Sequence, residues 1–387
     1  MRAAKLTLAL PLLMAATAQA STVADQGVAN EAAVAETAKQ AMAATGARGL
    51  AIAVIDRGKV ISVQSFGERN AKGDPLTPRT IMYGASLTKL VFAYSVLRLA
   101  DEGKVDIDKP IAAMLKKPLP EYGNLEAYGN WGDLAGDERW RTITPRMVLN
   151  HSTGFANFHF LEPDGKLRFH FDPGSRYGYS GEGIMLLQFG FEQGLGLDMG
   201  KEIQRLVFDP MHMPNSGVMW RPDFAANLAD GWEIDGKAVP HDERERVRLA
   251  GSMDTTITDL ANFAAALIAG EGLSKAARAE LTRPGLAIRS RSQFPTLQDD
   301  APAAERPDIT ATVGLIRFTG PQGTGYFRGG HNESTGNTLV CLEKGQRCVL
   351  IMSNDVRSEA AFPMIVRDIL GETGAPWRWI FGDMKFV

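Results

Sequence analysis

The sequence predicts an α+β fold in which an antiparallel sheet is flanked by helices and carries an inserted all-α domain. Strand patterns occur near both ends of the chain, whereas the stretch between them shows mainly helix segments and Pro/Gly loops. Strands from both ends must meet to bury their apolar faces in one core. The middle of the chain is therefore an insertion, and a cleft between it and the sheet edge is the expected location of a site.

A helix followed by a β-hairpin is predicted at the N-terminal end of the sheet. Residues 30–44 are rich in Ala with Glu and Lys, which is typical of a helix. Two apolar runs, residues 49–55 and 60–66, flank the turn Arg57-Gly58-Lys59, and this pattern predicts two antiparallel strands. Residues 86–100 then predict a long apolar helix, which an Asp-Glu-Gly stretch ends.

The C-terminal part supplies the remaining strands. Strand patterns occur at residues 312–318, 338–342 and 348–352, and a final helix is predicted around residues 359–370. Residues 299–307 are acidic and rich in Pro and Ala, which is typical of an exposed connector.

These patterns divide the mature chain into two units. Residues 21–80 and 311–387 are assigned to the sheet domain. Residues 81–310, including the connector, are assigned to the mostly helical domain.

Composition and charge exclude several classes of function. The chain has 387 residues, of which 44% are hydrophobic and 22% charged, so a core can form without disulfides or metals. The net charge of -3 and the lack of a basic run interleaved with aromatic residues exclude nucleic-acid binding. The six histidines show no H-E-x-x-H or Cys/His ligand spacing, and the sequence has no P-loop or Rossmann glycine pattern. We therefore expect no metal and no cofactor.

The first twenty residues have the pattern of a secretory signal peptide. Arg2 and Lys5 form a positive region, residues 6–16 are apolar, and Ala18-Gln19-Ala20 offers small residues to a signal peptidase. The apolar stretch is too short for a membrane span, so residues 1–20 are expected to be cleaved off after Ala20; an uncleaved anchor is the alternative. The mature protein is predicted to be periplasmic or secreted, without a permanent membrane anchor.

Two cysteines flank a turn near the C-terminus. Cys341 and Cys348 lie in two strand patterns on either side of Glu343-Lys344-Gly345-Gln346, so a hairpin would set them opposite each other. A cross-strand disulfide and a pair of small buried thiols are both compatible with this spacing.

Ser86-Leu87-Thr88-Lys89 places a serine and a lysine three residues apart at the start of the long apolar helix. Residues i and i+3 share a helix face, so the hydroxyl and the amine are expected to be neighbours. A buried lysine with a lowered pKa can take the serine proton, and the N–H groups at a helix start favour a developing oxyanion. The alternative is an N-capping serine with a lysine that extends to solvent.

Two later residues are further candidates for catalysis. Tyr179 follows a turn, and a tyrosine held beside a lysine can have its phenol pKa lowered and transfer protons. His331 follows two glycines, and a histidine there can bind a substrate carbonyl or carboxylate or assist proton transfer. A core tyrosine and a structural histidine are the corresponding alternatives.

The order of these signals resembles the serine β-lactamase and penicillin-binding protein superfamily. Ser86-x-x-Lys89, then Tyr179-Ser180, then a Gly-His element follow one another as in that superfamily. The branch that holds class C β-lactamases, DD-carboxypeptidases, D-aminopeptidases and related esterases is the most similar. Four other segments resemble that branch: residues 97–111 (LRLADEGKVDIDKPI), 143–155 (ITPRMVLNHSTGF), 208–213 (FDPMHM) and 249–263 (LAGSMDTTITDLANF).

The resemblance implies a β-lactamase/transpeptidase-like fold and a role for each matching residue. Ser86 is implied as the acylated nucleophile and Lys89 as its proton acceptor or relay. Tyr179 is implied as the partner base that also protonates the leaving group. The backbone N–H of Ser86 is one implied oxyanion donor, and the second is expected at Ser334.

The second motif departs from the family pattern. It is usually Tyr-x-Asn, and here Gly181 stands where Asn is expected. Because that Asn amide contacts the acyl side chain of a β-lactam or peptide, its loss weakens the β-lactamase interpretation. Glu182 follows at once and is the candidate for a replacement polar contact.

The third motif allows two registers. The motif is usually Lys-Thr-Gly or His-x-Gly, and the preferred register is His331-Asn332-Glu333, with Glu333 in place of glycine. A gap-free count back from the hairpin gives Arg328-Gly329-Gly330 instead, in which Arg328 reads a substrate carboxylate.

The expected function is that of an exported serine hydrolase acting through a Ser86 acyl-enzyme. Its substrate is an ester, a D-amino-acid amide or peptide, or a β-lactam-like compound, with the first two preferred because the Asn of the second motif is absent. A true class C-type β-lactamase or DD-carboxypeptidase is the alternative within this class. A catalytically inactive relative that binds cell-wall fragments is the alternative outside it. The expected partner is a small-molecule or peptidoglycan-like substrate.

Overall fold

A computed structural model describes residues 28–387. The predicted signal peptide, residues 1–20, lies outside the described residues. The helices are α1 (Glu31–Thr45), α2 (Thr88–Asp101), α3 (Pro145–Leu149), α4 (Gly181–Phe189), α5 (Met199–Ile203), α6 (Ile257–Ala269), α7 (Lys275–Thr282), α8 (Phe362–Leu370) and α9 (Trp377–Phe381). The strands are β1 (Gly49–Asp56), β2 (Lys59–Gly67), β3 (Met82–Tyr83), β4 (Asn124–Leu125), β5 (Gly129–Asn130), β6 (Gly231–Trp232), β7 (Ala238–Val239), β8 (Asp254–Thr255), β9 (Leu286–Ala287), β10 (Ile309–Ala311), β11 (Ile316–Gly320), β12 (Gly323–His331), β13 (Gly336–Leu342) and β14 (Arg347–Ser353).

One antiparallel sheet joins the two ends of the chain. Within residues 28–387, eight strands follow the order β2-β1-β14-β13-β12-β11-β10-β9. β1 from the N-terminal hairpin pairs with β14 from the C-terminal part, with Ala53 opposite Leu350. The predicted α+β fold, an antiparallel sheet flanked by helices, is confirmed. The division into units at residues 81 and 310 stays a prediction.

The sheet is the middle layer between two groups of helices. Successive strand side chains point to opposite faces. In β1, Leu50 and Ile52 pack with α1 and α8, whereas Ala51 and Ala53 face α2 and α6. Helix α2 is buried on nearly every side between the sheet and the helical part. This burial explains its continuous apolar sequence and provides the dry environment around its first turn.

Two strand predictions needed correction. Residues 312–318 do not form one strand, because residues 312–315 make the turn between β10 and β11, with the Thr312 N–H donating to Leu315 O. Strand β12 lies near the middle of the sheet, yet the sequence did not predict it. Four of its nine residues are glycines, which weaken a strand pattern.

The two cysteines face each other on β13 and β14. Cys341 is opposite Cys348 in the strand register, and the two form a disulfide. The alternative of two free thiols is thereby excluded. No helix within residues 28–387 has both the length and the apolar character needed to cross a membrane.

Candidate active site

Ser86 lies in a sharp turn that leads into α2. A 3-10 turn, Ala85–Leu87, precedes the helix. Ala85 has a φ of 47°, a left-handed conformation that residues other than glycine rarely adopt. Such backbone strain persists where the surrounding structure enforces it, and it is common at functional sites. The turn brings Ser86 to the wall of a cavity of about 410 Å³.

Lys89 lies one turn further along and is directed at Ser86. Its Nζ donates a hydrogen bond to Ser86 Oγ over 2.9 Å and another to Ala250 O. The side chain is buried. Burial lowers the pKa of Lys89, and the charge of Arg328 lowers it further, although Tyr179 acts in the opposite direction. Lys89 therefore does not extend to solvent, and its amine is suited to accept the Ser86 proton.

Tyr179 approaches Ser86 from the segment before α4. Its Oη donates to Ser86 Oγ over 2.8 Å. Ser180 anchors the segment, because its Oγ caps α4 and donates to Ala156 O. Burial alone would raise the pKa of Tyr179, but the charges of Lys89 and Arg328 and the hydrogen bond to Ser86 lower it to about 8. A proton acceptor is thus available beside Ser86 close to neutral pH.

Arg328 is a buried cation next to Tyr179. Its guanidinium lies 5.7 Å from the Tyr179 ring centroid, and its Nη1 lies 3.3 Å from His151 Nε2. Within residues 28–387, its Nε and Nη2 have no hydrogen-bond partner. Burial, with the charges of Arg328 and Lys89, holds the pKa of His151 well below its ordinary value, so His151 stays neutral. An unbalanced buried cation favours negative charge nearby, which here means an ionised Tyr179.

β12 passes so close to the Ser86 turn that residue 330 has no room for a side chain. A Cβ on Gly330 would lie 2.8 Å from the Ser86 backbone nitrogen and 2.8 Å from Gly84 O. Arg328 lies two residues earlier on the same strand face. The close approach requires glycine at residue 330, so the geometry favours the register Arg328-Gly329-Gly330 over the preferred one that begins at His331. Arg328 itself is buried against Tyr179 and does not line the cavity, which contradicts its expected contact with a substrate carboxylate.

His331 lies at the end of β12, on the cavity wall. Its Nδ1 lies 3.3 Å from Glu359 Oε1, and its ring packs 5.7 Å from the Phe294 ring. The hydrogen bond that His331 donates to Glu359 raises the pKa of His331 against the effect of burial. The side chain is therefore positioned to meet substrate and is paired with a carboxylate.

The backbone N–H of His331 faces the open edge of β12. Asn332 N–H donates to Thr335 O across the turn to β13. The N–H groups of an antiparallel strand alternate between its two edges, so the His331 N–H points away from β13. β11 does not cover this edge near His331, because the pairing between β11 and β12 ends at Phe327. The His331 N–H is therefore the second candidate oxyanion donor, beside that of Ser86.

Ser334 lies elsewhere, which corrects the expectation that it supplies the second donor. Its N–H donates to Asn332 Oδ1 over 3.0 Å, and its C=O accepts from Trp232. The side chain faces Gly231 in a separate cavity of about 120 Å³. The turn after β12 carries Ser334 away from Ser86.

In the second motif, an aromatic ring occupies the space beside Gly181. A Cβ on Gly181 would lie 2.3 Å from Cζ of Phe158, whose ring occupies that space in the cavity wall. Glu182 does not replace the missing amide, because its buried carboxylate accepts from the His159 N–H and lies beside its ring. The expected contact of Glu182 with substrate is therefore wrong.

Asn157 is the polar residue that sequence reasoning missed. It lines the cavity, and its Oδ1 accepts a hydrogen bond from the Gly181 N–H over 2.9 Å. This bond fixes the amide orientation and leaves the Nδ2 donors for a ligand. The signal was present in the sequence, since Asn157 follows the family-like segment 143–155 by two residues.

The cavity brings together a serine hydroxyl, an amine and a phenol within hydrogen-bond distance of it, and two backbone N–H donors. These are the parts that acyl transfer to a serine requires. No group of three or more His, Cys, Asp or Glu side chains in residues 28–387 is arranged to hold a metal ion.

Comparisons with solved structures show a shared fold. A D-alanine carboxypeptidase AmpC from Burkholderia cenocepacia superposes with a TM-score of 0.68 at 16% identity, covering 87% of this chain and 98% of that one.

Two sequence relatives are described as a beta-lactamase-like protein and an esterase. A putative beta-lactamase-like 1 protein of Homo sapiens is 28% identical over 255 residues, which are 60% of this chain and 48% of the relative. A lovastatin esterase of Penicillium rubens is 25% identical over 201 residues, which are 45% of this chain and 50% of the relative. The chain thus spans about half the length of these curated relatives.

The family assignment rests on a match along most of the chain. The Beta-lactamase family matches residues 34–370, a range that includes Ser86, Lys89 and Tyr179. This confirms the resemblance that the motif order indicated. The chain therefore belongs to the Beta-lactamase family.

Proposed function

We propose that the protein is an exported hydrolase that forms an acyl-enzyme on Ser86 and prefers carboxylic esters or D-amino-acid amides over β-lactams. One observation carries the proposal: Ser86 Oγ lies 2.9 Å from Lys89 Nζ and 2.8 Å from Tyr179 Oη. A serine hydroxyl becomes a good nucleophile when such a base takes its proton. Export is proposed from the N-terminal sequence pattern alone.

Acylation transfers one proton and forms one bond. Ser86 Oγ attacks the substrate carbonyl carbon while its proton passes to ionised Tyr179 or to neutral Lys89. The N–H groups of Ser86 and His331 stabilise the resulting oxyanion. Collapse of the tetrahedral intermediate breaks the bond to the leaving group, which takes the proton from Tyr179.

Deacylation returns the site to its starting state. A water molecule attacks the acyl ester carbon and gives one proton to the same Tyr179–Lys89 pair. Breakage of the ester bond releases the carboxylic acid and restores the Ser86 hydroxyl with that proton.

The preference for esters and amides follows from the absence of an Asn side chain in the second motif. Gly181 offers no side-chain amide, and Phe158 fills that part of the cavity wall with an aromatic ring. Similarity to a lovastatin esterase over part of the chain supports ester hydrolysis within the same family. Substrates that need the missing amide lose that contact.

A three-substrate panel tests the proposal. Wild type and Ser86→Ala are assayed with p-nitrophenyl butyrate, a chromogenic cephalosporin and a D-alanyl-D-alanine peptide. We expect ester turnover by wild type that falls about a thousandfold or more in Ser86→Ala. Ser95→Ala is the matched control, since Ser95 lies on α2 and its hydroxyl, within the described residues 28–387, bonds only to Phe92 O. Equal turnover by wild type and Ser86→Ala would reject the proposed role of Ser86.

A further inference from the structure

Arg248 lies on the cavity wall. Among residues 28–387, three Lys or Arg side chains line the cavity: Lys89, Arg244 and Arg248. Lys89 bonds to Ser86, and Arg244 pairs with the buried Asp254. In the part of the chain that the structure describes, the Arg248 guanidinium makes no hydrogen bond and no ion pair.

The backbone around Arg248 is held in place on both sides. Gln188 of α4 donates to Val247 O over 2.9 Å and accepts from the Leu249 N–H over 2.9 Å. The Arg248 N–H donates to Ser252 Oγ over 2.9 Å. These bonds fix the backbone at Arg248, so its side chain extends from a defined point on the cavity wall.

Nearby polar groups leave the Arg248 guanidinium available. Burial raises the pKa of Glu182, and the nearby charge of Arg248 acts in the opposite direction. Its carboxylate accepts from the His159 N–H, and within residues 28–387 it makes no ion pair with Arg248. Asn157 adds amide donors to the same cavity. This part of the cavity therefore has donors and positive charge for an incoming anion.

The sheet side of the cavity carries a carboxylate that is paired with a histidine. Glu359 is buried there and lies 3.3 Å from His331. Glu359 follows β14 of the sheet. Arg248 lies on the helical side, where the adjacent residue Leu249 bonds to Gln188 of α4. A ligand that spans the cavity would meet a free cation on the helical side and a histidine–carboxylate pair on the sheet side.

We propose that Arg248 binds a carboxylate of the substrate, so that the preferred substrates are esters or amides carrying a free carboxylate a few bonds from the scissile carbonyl. The planar guanidinium can hold such a group through two parallel hydrogen bonds. This inference rests on the proposed hydrolase function. It assigns the substrate class from the unpaired charge in the cavity.

Matched esters test the assignment. Wild type, Arg248→Gln, Arg248→Lys and the control Arg246→Gln are assayed with p-nitrophenyl butyrate and with mono-p-nitrophenyl glutarate. Arg246 is an exposed neighbour that pairs with Glu126. The readout is the ratio of kcat/KM for glutarate to that for butyrate. We expect Arg248→Gln to lower this ratio by roughly tenfold to a hundredfold, mainly through KM, with partial recovery in Arg248→Lys and no change in Arg246→Gln.

Two outcomes separate this inference from the proposed function. An unchanged ratio in Arg248→Gln, with ester turnover intact, overturns the carboxylate site and leaves the hydrolase. If neither ester is turned over, calorimetry on Ser86→Ala with glutaramate and butyramide still decides the inference. Preference for glutaramate that disappears in Ser86→Ala/Arg248→Gln supports it, and equal binding of both amides overturns it.

Discussion

A methyl group on Gly330 would come within 2.8 Å of the Ser86 backbone nitrogen. The third motif is therefore packed directly against the turn that holds Ser86. Gly330→Ala should push β12 away from Ser86 and separate the two N–H groups assigned to the oxyanion. We expect kcat to fall by about a hundredfold or more, as when an oxyanion donor is removed, with destabilisation of about 1–3 kcal/mol. Steady-state kinetics and urea unfolding measure these effects.

A glycine in ordinary packing serves as the control for that prediction. A Cβ on Gly200, in α5, would make contacts of 3.4 Å with Asp198 and Val247. Gly200→Ala should keep wild-type kinetics and unfold at the same or a slightly higher urea concentration. Similar kinetic losses in both variants would argue against a special role for the Gly330 contact.

The pH dependence of ester hydrolysis should report the lowered pKa of Tyr179. The base must be deprotonated to take the Ser86 proton, so kcat/KM should rise about tenfold per pH unit below the pKa and level off above it. With the Tyr179 pKa at about 8, the plateau should begin near that value. Tyr179→Phe should remove this rise along with most of the activity. A wild-type profile that is flat between about pH 6 and 9 would contradict the assignment.

Arg328 should control where that pH profile rises. Its charge lowers the pKa of both Tyr179 and Lys89. Arg328→Gln removes this charge, so both pKa values should increase and the rise in kcat/KM should move to higher pH. Arg328→Lys keeps the charge and should move the profile less. An unshifted profile in folded Arg328→Gln protein would show that Arg328 has a structural role only.

Phe158 and Gly181 should be energetically coupled. A Cβ on Gly181 would lie 2.3 Å from Cζ of Phe158, so Gly181→Ala should destabilise the fold by about 1–3 kcal/mol. Phe158→Leu removes the ring and should restore part of that stability in the double variant. Urea unfolding of both single variants and the double variant gives the coupling energy, expected at about 0.5–3 kcal/mol. Strict additivity would mean that the ring moves aside freely.

The disulfide should stabilise the sheet. Cys341 and Cys348 join neighbouring strands. Replacing both with Ala should lower the free energy of unfolding by about 2 kcal/mol, because a bridge limits the unfolded chain. Dithiothreitol should lower the Tm of wild type but leave that of the double variant unchanged. A wild-type Tm insensitive to the reductant, with loss of the bridge verified by mass, would contradict this expectation.

The parts of the site that depend on local spacing were predictable from the sequence. Ser86 and Lys89 are three residues apart on consecutive helical turns, and local geometry alone brings them together. The hairpin of β1 and β2 and the facing cysteines are also local features. The join between β1 and β14 was predictable because strands at both chain ends must complete one sheet.

The remaining features depend on contacts between distant segments. Glycines weaken the strand pattern of β12 in the sequence. Gly330 is nevertheless required, because backbone atoms of the Ser86 turn lie directly against it. The register of the third motif and the location of the His331 N–H follow from strand pairing, which periodicity does not reveal. Asn157 is held in the cavity by the N–H of Gly181, which lies 24 residues further along the chain. Its position just after the family-like segment 143–155 was the one sequence signal for it, and the contact itself depends on tertiary packing.

The account depends on Ser86 being the residue that reacts, activated by Lys89 and Tyr179. The most direct measurement is mass spectrometry of the intact protein and its peptides after reaction with a fluorophosphonate probe. We expect one adduct on the peptide that contains Ser86, no adduct in Ser86→Ala, and much slower labelling in Lys89→Met. An adduct on another residue, or unchanged labelling of Ser86 in folded Lys89→Met, would contradict the proposed activation.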